Sequence, residues 1–329
     1  MLKVAMLSKW HVHAKDYQRQ LLETGKVEIV AVWDEDVVRG AAWAEDLGAA
    51  FYPSVDVLLA ESDAEAVVVD SPTNMHLELI TKSAAAGKHI YTEKTLGLTE
   101  KDALEMAKAV EDAGVIFTIS MPQLVGPEIQ YIKQAIDEGL LGDVTVLRIR
   151  NAHNGAVADW LPVYWYDPET AGGGAMMDLG CHSVYQANWL LGKPHKVNAI
   201  FNTHTNRAVD DNAVMTVEYQ NMAIAILETG FASYKSPRFI EVYGTQGSIL
   251  WSSPGMFQIT SSKLEGAEND WITPESMPEP ILTPVSQFVE AVLQKNASLV
   301  HTGLAHGIAL SNVLEKAYIA NAEGRTVEF

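Results

Sequence analysis

The chain has 329 residues, enough for two domains of ordinary size. Its 42 acidic residues against 23 Lys and Arg give a net charge of -19, which repels phosphate backbones and anionic lipid surfaces and argues against nucleic-acid and membrane partners. A single cysteine, Cys181, excludes an intramolecular disulfide, no apolar run is long enough to span a bilayer, and the apolar start Val4–Leu7 is too short for a secretory leader; a soluble, cytoplasmic protein is expected.

Residues 1–120 alternate two textures. Short apolar, β-rich runs fall at Val4–Leu7, Val27–Trp33, Ala66–Val69, His89–Tyr91 and Val115–Ile119. Between them, Leu77–Ala86 and Glu100–Ala113 carry apolar residues at three- and four-residue steps. This interleaving predicts a doubly wound, mostly parallel sheet with helices on both faces. Residues 121–329 read differently. A helix is predicted over Pro127–Glu138 and strands over Val144–Arg150, Ala213–Tyr219, Ala223–Glu228, Phe239–Tyr243, Ser248–Trp251 and Phe257–Thr260. Helical stretches are predicted at Ala171–Leu191 and Leu304–Asn321. Strands gathered in this way predict a C-terminal α/β domain around a large, mostly antiparallel open sheet.

An open parallel sheet binds ligands beyond the carboxyl ends of its strands, so the turn after the first strand should hold a dinucleotide pyrophosphate. That turn reads Ser8, Lys9, Trp10, His11, Val12, His13 and contains none of the fingerprint glycines. Either His11 and His13 approach the pyrophosphate, or a wider turn uses side chains in place of backbone donors, or the turn binds no dinucleotide. The second strand ends at Asp34, followed by Glu35 and Asp36. An acid at that place accepts from the adenine ribose and favours NAD over NADP; the alternative is that Asp34 caps the next helix.

Three further segments follow: Ser71-Pro72-Thr73-Asn74-Met75-His76, Gly87 through Glu93-Lys94-Thr95, and Gly172-Gly173-Gly174 through Asp178 and His182 to Gly192. With Asp210–Val214 and Val242–Ser248 in support, their order and spacing resemble the Gfo/Idh/MocA oxidoreductases, a family that includes inositol dehydrogenases and glucose–fructose oxidoreductase. The resemblance runs over essentially the whole chain. It implies a Rossmann domain (1–120), then a substrate-binding and oligomerisation domain (121–329) whose sheet builds a homodimer or homotetramer. It also implies hydride transfer between NAD or NADP and a hydroxyl carbon of a sugar, polyol or related small molecule. The family's catalytic lysine falls on Lys94, and its helix aspartate and histidine on Asp178 and His182. Cofactor contacts fall on Ser8, Lys9, Trp10, His11, His13, Asp34, Ser71, Pro72, Thr73, His76, Glu93 and Lys94. Substrate contacts fall on Lys94, His153, Trp165, Asp178, His182 and Tyr185.

The chemistry of these residues agrees with that. Oxidising a secondary alcohol needs a base for the hydroxyl proton, and histidine suits this near neutral pH. Asp178, four residues before His182, can orient the ring and stabilise its cation. An ammonium at Lys94 stabilises the developing alkoxide. Read without the resemblance, His182 is a structural histidine and Lys94 a solvated surface lysine.

Four departures mark this chain. The glycine turn is missing. Thr95 stands where the family's proline follows the lysine, so a cis bond there would cost about 2.5–4 kcal/mol; the bond is either trans or cis against that cost. Tyr185 replaces an acid often found three residues after the helix histidine, either as an altered substrate contact or as a core tyrosine. The arginine frequent after the fifth predicted strand is absent from Met121–Val125. The aromatic run containing Trp160, Tyr164, Trp165 and Tyr166 is either a carbohydrate platform or a packing cluster. His153, Asp178 and His182 have metal-ligating side chains without a defined ligand spacing, and no metal is expected. Two other readings stay open: a non-redox sensor on the same scaffold, and an enzyme whose tightly bound NAD drives elimination or epimerisation.

Overall fold

The computed structural model describes all residues 1–329, and the chain divides into two compact units. Met1–Pro122 and Leu282–Ser311 form the first, and Gln123–Ile281 and Asn312–Phe329 the second.

The first unit is built on β1 (Leu2–Leu7), β2 (Val27–Trp33), β3 (Ala50–Phe51), β4 (Ala66–Val69), β5 (His89–Thr92) and β6 (Phe117–Ile119). These pair in parallel in the order β3-β2-β1-β4-β5-β6. Helices α1 (Ala14–Glu23), α2 (Val37–Leu47), α3 (Val55–Glu61), α4 (His76–Ala85) and α5 (Glu100–Ala113) make the connections. Val4–Leu7 and Ala66–Val69 are buried at every position, as strands covered on both faces must be. Strand order reverses between β1 and β4, and this switch point places the ligand crevice beyond their carboxyl ends. Ser8, Asp70 and Glu93 follow β1, β4 and β5 at that edge. Asp36 caps α2, accepting from the Val38 and Arg39 amides, so the capping role considered for Asp34 falls two residues later. Gly40 lets α2 lie close on β2, because a Cβ there would overlap the Asp34 side chain.

The second unit holds α6 (Pro127–Asp137), β7 (Val144–Ala152), α7 (Pro168–Ala171), α8 (Cys181–Leu191), β8 (Pro194–Asn202), β9 (Asn212–Tyr219), β10 (Ile224–Gly230), β11 (Arg238–Gly244), β12 (Gly247–Ser253) and β13 (Met256–Ser261). With the terminal β14 (Val327–Glu328) they give an eight-stranded sheet in the order β13-β12-β11-β7-β10-β9-β8-β14. Every pair is antiparallel except β7 with β10. One face is apolar and buried, as in Ala213, Met215, Val217 and Tyr219 of β9. The other alternates outward with Val214 and Thr216. The helix expected over Ala171–Leu191 is broken. Gly172 ends α7 in the left-handed region (φ 77°), a common helix stop, and a π-helical turn at Met176–Gly180 precedes α8.

A second correction concerns α9 (Pro284–Gln294), which opens the segment that returns to the first unit. The sequence reading placed all of 121–329 in the C-terminal domain. Val285, Phe288, Val289 and Val292 recur at helical spacing and bury with Ala14, Tyr17, Leu21 and Tyr91 in the first core, a long-range choice that local texture does not carry. The last helix, α10 (Leu304–Glu323), begins in the first unit and continues from Asn312 in the second. No helix is long and apolar enough to cross a membrane.

Candidate active site

The turn after β1 keeps a tight backbone without glycine. Ser8 has φ 74°, the left-handed conformation glycine adopts most freely. The amides of Lys9, Trp10, His11 and His13 donate to Asp34 Oδ2 (2.9 Å), Ser8 Oγ (3.0 Å), the Asp70 carbonyl (3.2 Å) and His11 Nδ1 (3.2 Å). A glycine-rich turn aims such amides at phosphate; here they are spent inside the unit. Lys9 and His13 are part-exposed beside the turn. Lys9 Nζ lies 5.2 Å from the Trp43 ring centre, and burial lowers its pKa.

Asp34 is buried and accepts from the amides of Lys9 (2.9 Å) and Asp36 (2.8 Å) and from Arg39 Nη2 (2.6 Å) and Nε (3.0 Å). Arg39 Nη2 also meets Glu35 Oε1 at 2.5 Å. Burial works to lower the Arg39 pKa, but these two carboxylates hold it above the usual guanidinium value. A carboxylate at the end of β2, with a lysine and histidines along the first turn, is a donor and acceptor set that fits a dinucleotide held without an amide cradle.

At the β4 exit, Ser71 is buried and donates to the Pro72 carbonyl (3.2 Å), and Thr73 opens a short 3-10 turn. His76 is buried and held by backbone carbonyls. Its Nδ1 lies 3.0 and 3.1 Å from the carbonyls of Thr95 and Leu96, and its Nε2 3.3 Å from that of Ser71. It is an internal tie that fixes the loop after Lys94. Burial lowers its pKa, which suits a neutral ring in this place.

Glu93 and Lys94 are both buried just past β5. Lys94 Nζ lies 3.9 Å from Glu93 Oε1, and the Lys94 amide donates to the same oxygen at 2.9 Å. The Lys94–Thr95 peptide is cis. Glu93 Oε2 accepts from the Tyr17 hydroxyl and faces His13 Nδ1 at 3.4 Å and His11 Nδ1 at 4.0 Å. Burial opposes its ionisation, yet His11, His13 and Lys94 hold it well below the usual carboxylate range.

In the second unit Asp210 anchors the segment that carries Asp178 and His182. Its Oδ1 accepts from Gly174 N (2.9 Å) and the Tyr318 hydroxyl (2.7 Å), its Oδ2 from Met176 N (2.9 Å), and its carbonyl from Ala175 N (2.7 Å). A Cβ on Gly174 would overlap that carbonyl, which explains the glycine run before the helix. The sequence reading saw the Asp210 motif without its role; an acid pair following a glycine run and helix was the available signal. Asp178 lies on the π-helical turn, a feature that recurs at functional sites.

His182 is buried, with Nδ1 2.8 Å from the Tyr185 hydroxyl, which in turn accepts from Gln123 N at 3.1 Å. Tyr185 is 3 % exposed. Its hydroxyl therefore orients the histidine. His153, just past β7, stacks on Phe231 (5.0 Å, 8°) and packs against Trp160 (4.7 Å). Burial lowers its pKa against the pull of Asp178. Within the aromatic run Trp165 and Tyr166 are buried, and the exposed ring is Trp160. Arg238, half-buried, lies over the Trp251 ring (4.9 Å), and burial lowers its pKa against the influence of Tyr185 and Glu128. A cavity of about 370 Å³ in this unit is lined by Gly172, Phe201, Arg207, Asp210 and Tyr318, and by none of the expected catalytic residues.

Both units match known families. Residues 7–121 match the oxidoreductase family with an NAD-binding Rossmann fold, and residues 129–250 match the GFO/IDH/MocA C-terminal domain. The chain is 26% identical over 280 residues to 1,5-anhydro-D-fructose reductase of Ensifer adhaerens, covering 82% of this chain and 83% of that protein. It is 26% identical to the crystal structure of GenD2 from gentamicin A biosynthesis in complex with NAD, with a TM-score of 0.83 over 100% of this chain and 96% of that one. Levoglucosan dehydrogenase in complex with NADH and L-sorbose has the same fold, with a TM-score of 0.87 at 19% identity over 100% and 98% of the two chains. From its glycine-poor Rossmann unit to its mostly antiparallel second sheet, this chain belongs to the Gfo/Idh/MocA family of oxidoreductases.

Proposed function

We propose that the protein moves hydride between NAD and a secondary hydroxyl of a sugar, polyol or related small molecule, with Lys94, Asp178 and His182 as the catalytic set. The observation that carries this reading is the fixed imidazole of His182, set by Tyr185 at 2.8 Å, which Gln123 N holds at 3.1 Å. When bound, NAD supplies the hydride acceptor. Acting as base, His182 keeps a proton on Nδ1, donated to the Tyr185 oxygen, and exchanges the substrate proton through Nε2. The Tyr185 oxygen has two lone pairs, one for this bond and one for the Gln123 amide. Asp178 stabilises the imidazolium, and the Lys94 ammonium stabilises the alkoxide.

Ser8, Lys9, Trp10, His11, His13, Asp34, Ser71, Pro72, Thr73, Glu93 and Lys94 are the residues to hold the dinucleotide. NAD is preferred over NADP because Asp34 and Glu35 already match the charge of Arg39, leaving little on offer to a 2′-phosphate. His153 and Trp165 flank the substrate. The names of the similar proteins favour anhydro-sugars and related pyranose-like alcohols as the first substrates to try. The single cysteine fits a reducing, cytoplasmic setting, and the open face of the second sheet fits a homodimer or homotetramer. The sensor reading raised by the glycine-free turn is less favoured, since both halves match oxidoreductase models.

The test is a panel of polyols, sugars and anhydro-sugars followed by NADH absorbance. Lys94→Ala and His182→Ala should each lower kcat by about 10²–10⁴-fold, the range for losing a positioned proton-transfer or charge-stabilising group, with the circular dichroism spectrum unchanged. Full turnover by either variant rejects the assignment.

A further inference from the structure

Where the family places its glycine turn, this chain places a histidine, one spacer and a second histidine. The imidazoles of His11 and His13 sit 4.6 Å apart between ring centres, and the turn lays both against Glu93 at the end of β5. One ring nitrogen from each histidine and one Glu93 oxygen lie within 4.8 Å of one another. We propose that His11, His13 and Glu93 form a three-ligand site for a divalent transition-metal ion of the zinc class, with an open coordination position for a phosphate oxygen of the dinucleotide.

The distances suit such an ion. Ligand atoms about 2.0–2.1 Å from zinc in a tetrahedral shell stand roughly 3.3–3.4 Å from each other. The separations here are 3.4 Å from Glu93 Oε2 to His13 Nδ1 and 4.0 Å to His11 Nδ1; closing the shell takes small side-chain movements and the release of His11 Nδ1 from the His13 amide, from which it accepts at 3.2 Å. Two imidazoles and one carboxylate are a donor set that leaves a fourth position open. His13 has 36 % of its side chain exposed, and the cluster opens to solvent on that side. A supporting shell is also present. The Tyr17 hydroxyl donates to Glu93 Oε2 and lies 2.7 Å from Ser120 Oγ, while the Lys94 amide holds the other oxygen; such bonds orient ligating carboxylates.

A second observation points the same way. Asp70 is fully buried, and neither of its carboxylate oxygens has a hydrogen-bond partner. Its carbonyl accepts from His11 N at 3.2 Å, and burial, with Glu93 adding to it, pushes its carboxyl pKa well above the usual range, the mark of a site with surplus negative potential. Two buried carboxyl groups beside two imidazole rings form a place where a dication is favoured. The ion would also supply the positive charge that the turn's amides, committed elsewhere, do not offer. This last role rests on dinucleotide binding by the crevice; the metal site itself does not.

The experiment uses the full-length chain stripped with chelator, reloaded with Zn²⁺ or Co²⁺ and dialysed, with metal content measured by mass spectrometry. We expect one ion per chain, the visible absorption of tetrahedral Co²⁺, and loss of both in His13→Gln and in Glu93→Gln. His13→Gln alters a part-exposed side chain and stays informative if changes at the buried Glu93 disturb folding. Tyr17→Phe should weaken binding by about 10–100-fold while keeping the stoichiometry. No retained ion, an octahedral cobalt spectrum, or equal retention in both ligand variants overturns the site. NAD titrated calorimetrically into zinc-loaded and stripped protein tests the phosphate role. Tighter binding in the loaded form supports it and equal affinity overturns it. Absence of binding in both forms overturns the cofactor reading and leaves the metal result standing.

Discussion

Arg39 shows how a single side chain sets the character of the cofactor end. It is gripped by Asp34 in a forked pair at 2.6 and 3.0 Å and by Glu35 at 2.5 Å, so its charge is already matched. Removing one partner changes that balance. Asp34→Ala should weaken NAD binding by roughly 10–100-fold, the value of a charge-assisted hydrogen bond of about 1.5–3 kcal/mol, and should free Arg39 for a 2′-phosphate. The ratio of kcat/KM for NAD over NADP is therefore expected to fall by at least about tenfold. An unchanged ratio would show that Asp34 has no part in the choice. Lys94, Asp178 and His182 could be proposed from the sequence because each is tied to a local pattern. Asp34 could be placed at the strand end, but its five-residue link to Arg39 could not, since forked pairing depends on how α2 meets β2 over Gly40. Tyr185 was visible as a departure from the family pattern. Its job became clear only with the Gln123 amide, 62 residues away in sequence, on its oxygen.

Among the elements, those with a strong period were legible and those depending on distant partners were not. Alternating strands such as β9 and helices such as α5 follow directly from side-chain spacing. The two-residue β3 and β14 carry too few residues to show any period, and α9 has a clear helical face whose burial in the first core is a long-range event. The break before α8 is the most consequential case. Apolar spacing runs through it, while the glycines that cause it look like ordinary loop residues. Gly173 and Gly174 are needed because a Cβ at either would overlap the Tyr318 hydroxyl or the Asp210 carbonyl. Gly174→Ala should therefore push Asp210 off the turn that leads to Asp178 and His182. We expect a loss of about 1–3 kcal/mol in stability, the usual cost of overpacking, measured by urea unfolding. Turnover of the remaining folded protein should fall more than its affinity for substrate. A variant with wild-type stability and turnover would mean that the Asp210 anchor does not position Asp178 and His182.

At the scale of the whole molecule, the second sheet leaves one face uncovered. Its apolar side chains include Ile200 (69 % exposed), Val214 (41 %) and Ile224 (42 %). Beside them, Arg148 pairs with Glu228 (2.6 Å) and Glu241 (3.5 Å), and Arg150 with Glu228 (2.9 Å). Antiparallel sheets commonly face water on one side, but that side is then polar throughout. A net charge of -19 opposes self-association in general, so a dimer needs a surface where carboxylates are already paired, and on this face Glu228 and Glu241 are paired with arginine. The apolar residues lie on neighbouring strands: Ile200 opposes Val214 across β8 and β9, and Ile224 lies two residues along β10 from Ile226. Face-to-face packing of two copies would bury both apolar groups, the Ile200–Val214 pair and Ile224 with Ile226, while leaving the ion pairs at hand for the partner. Light scattering should therefore give a mass two or four times that of the chain at micromolar concentration. The double variant Ile200→Asp, Ile224→Asp should give the single-chain mass, because each new carboxylate would have to be desolvated against its own copy. Its circular dichroism spectrum should stay as in the wild type, since both positions point away from the core. A wild-type protein that already runs as a single chain would remove this surface as an interface. A double variant that keeps the assembled mass would place the contact elsewhere.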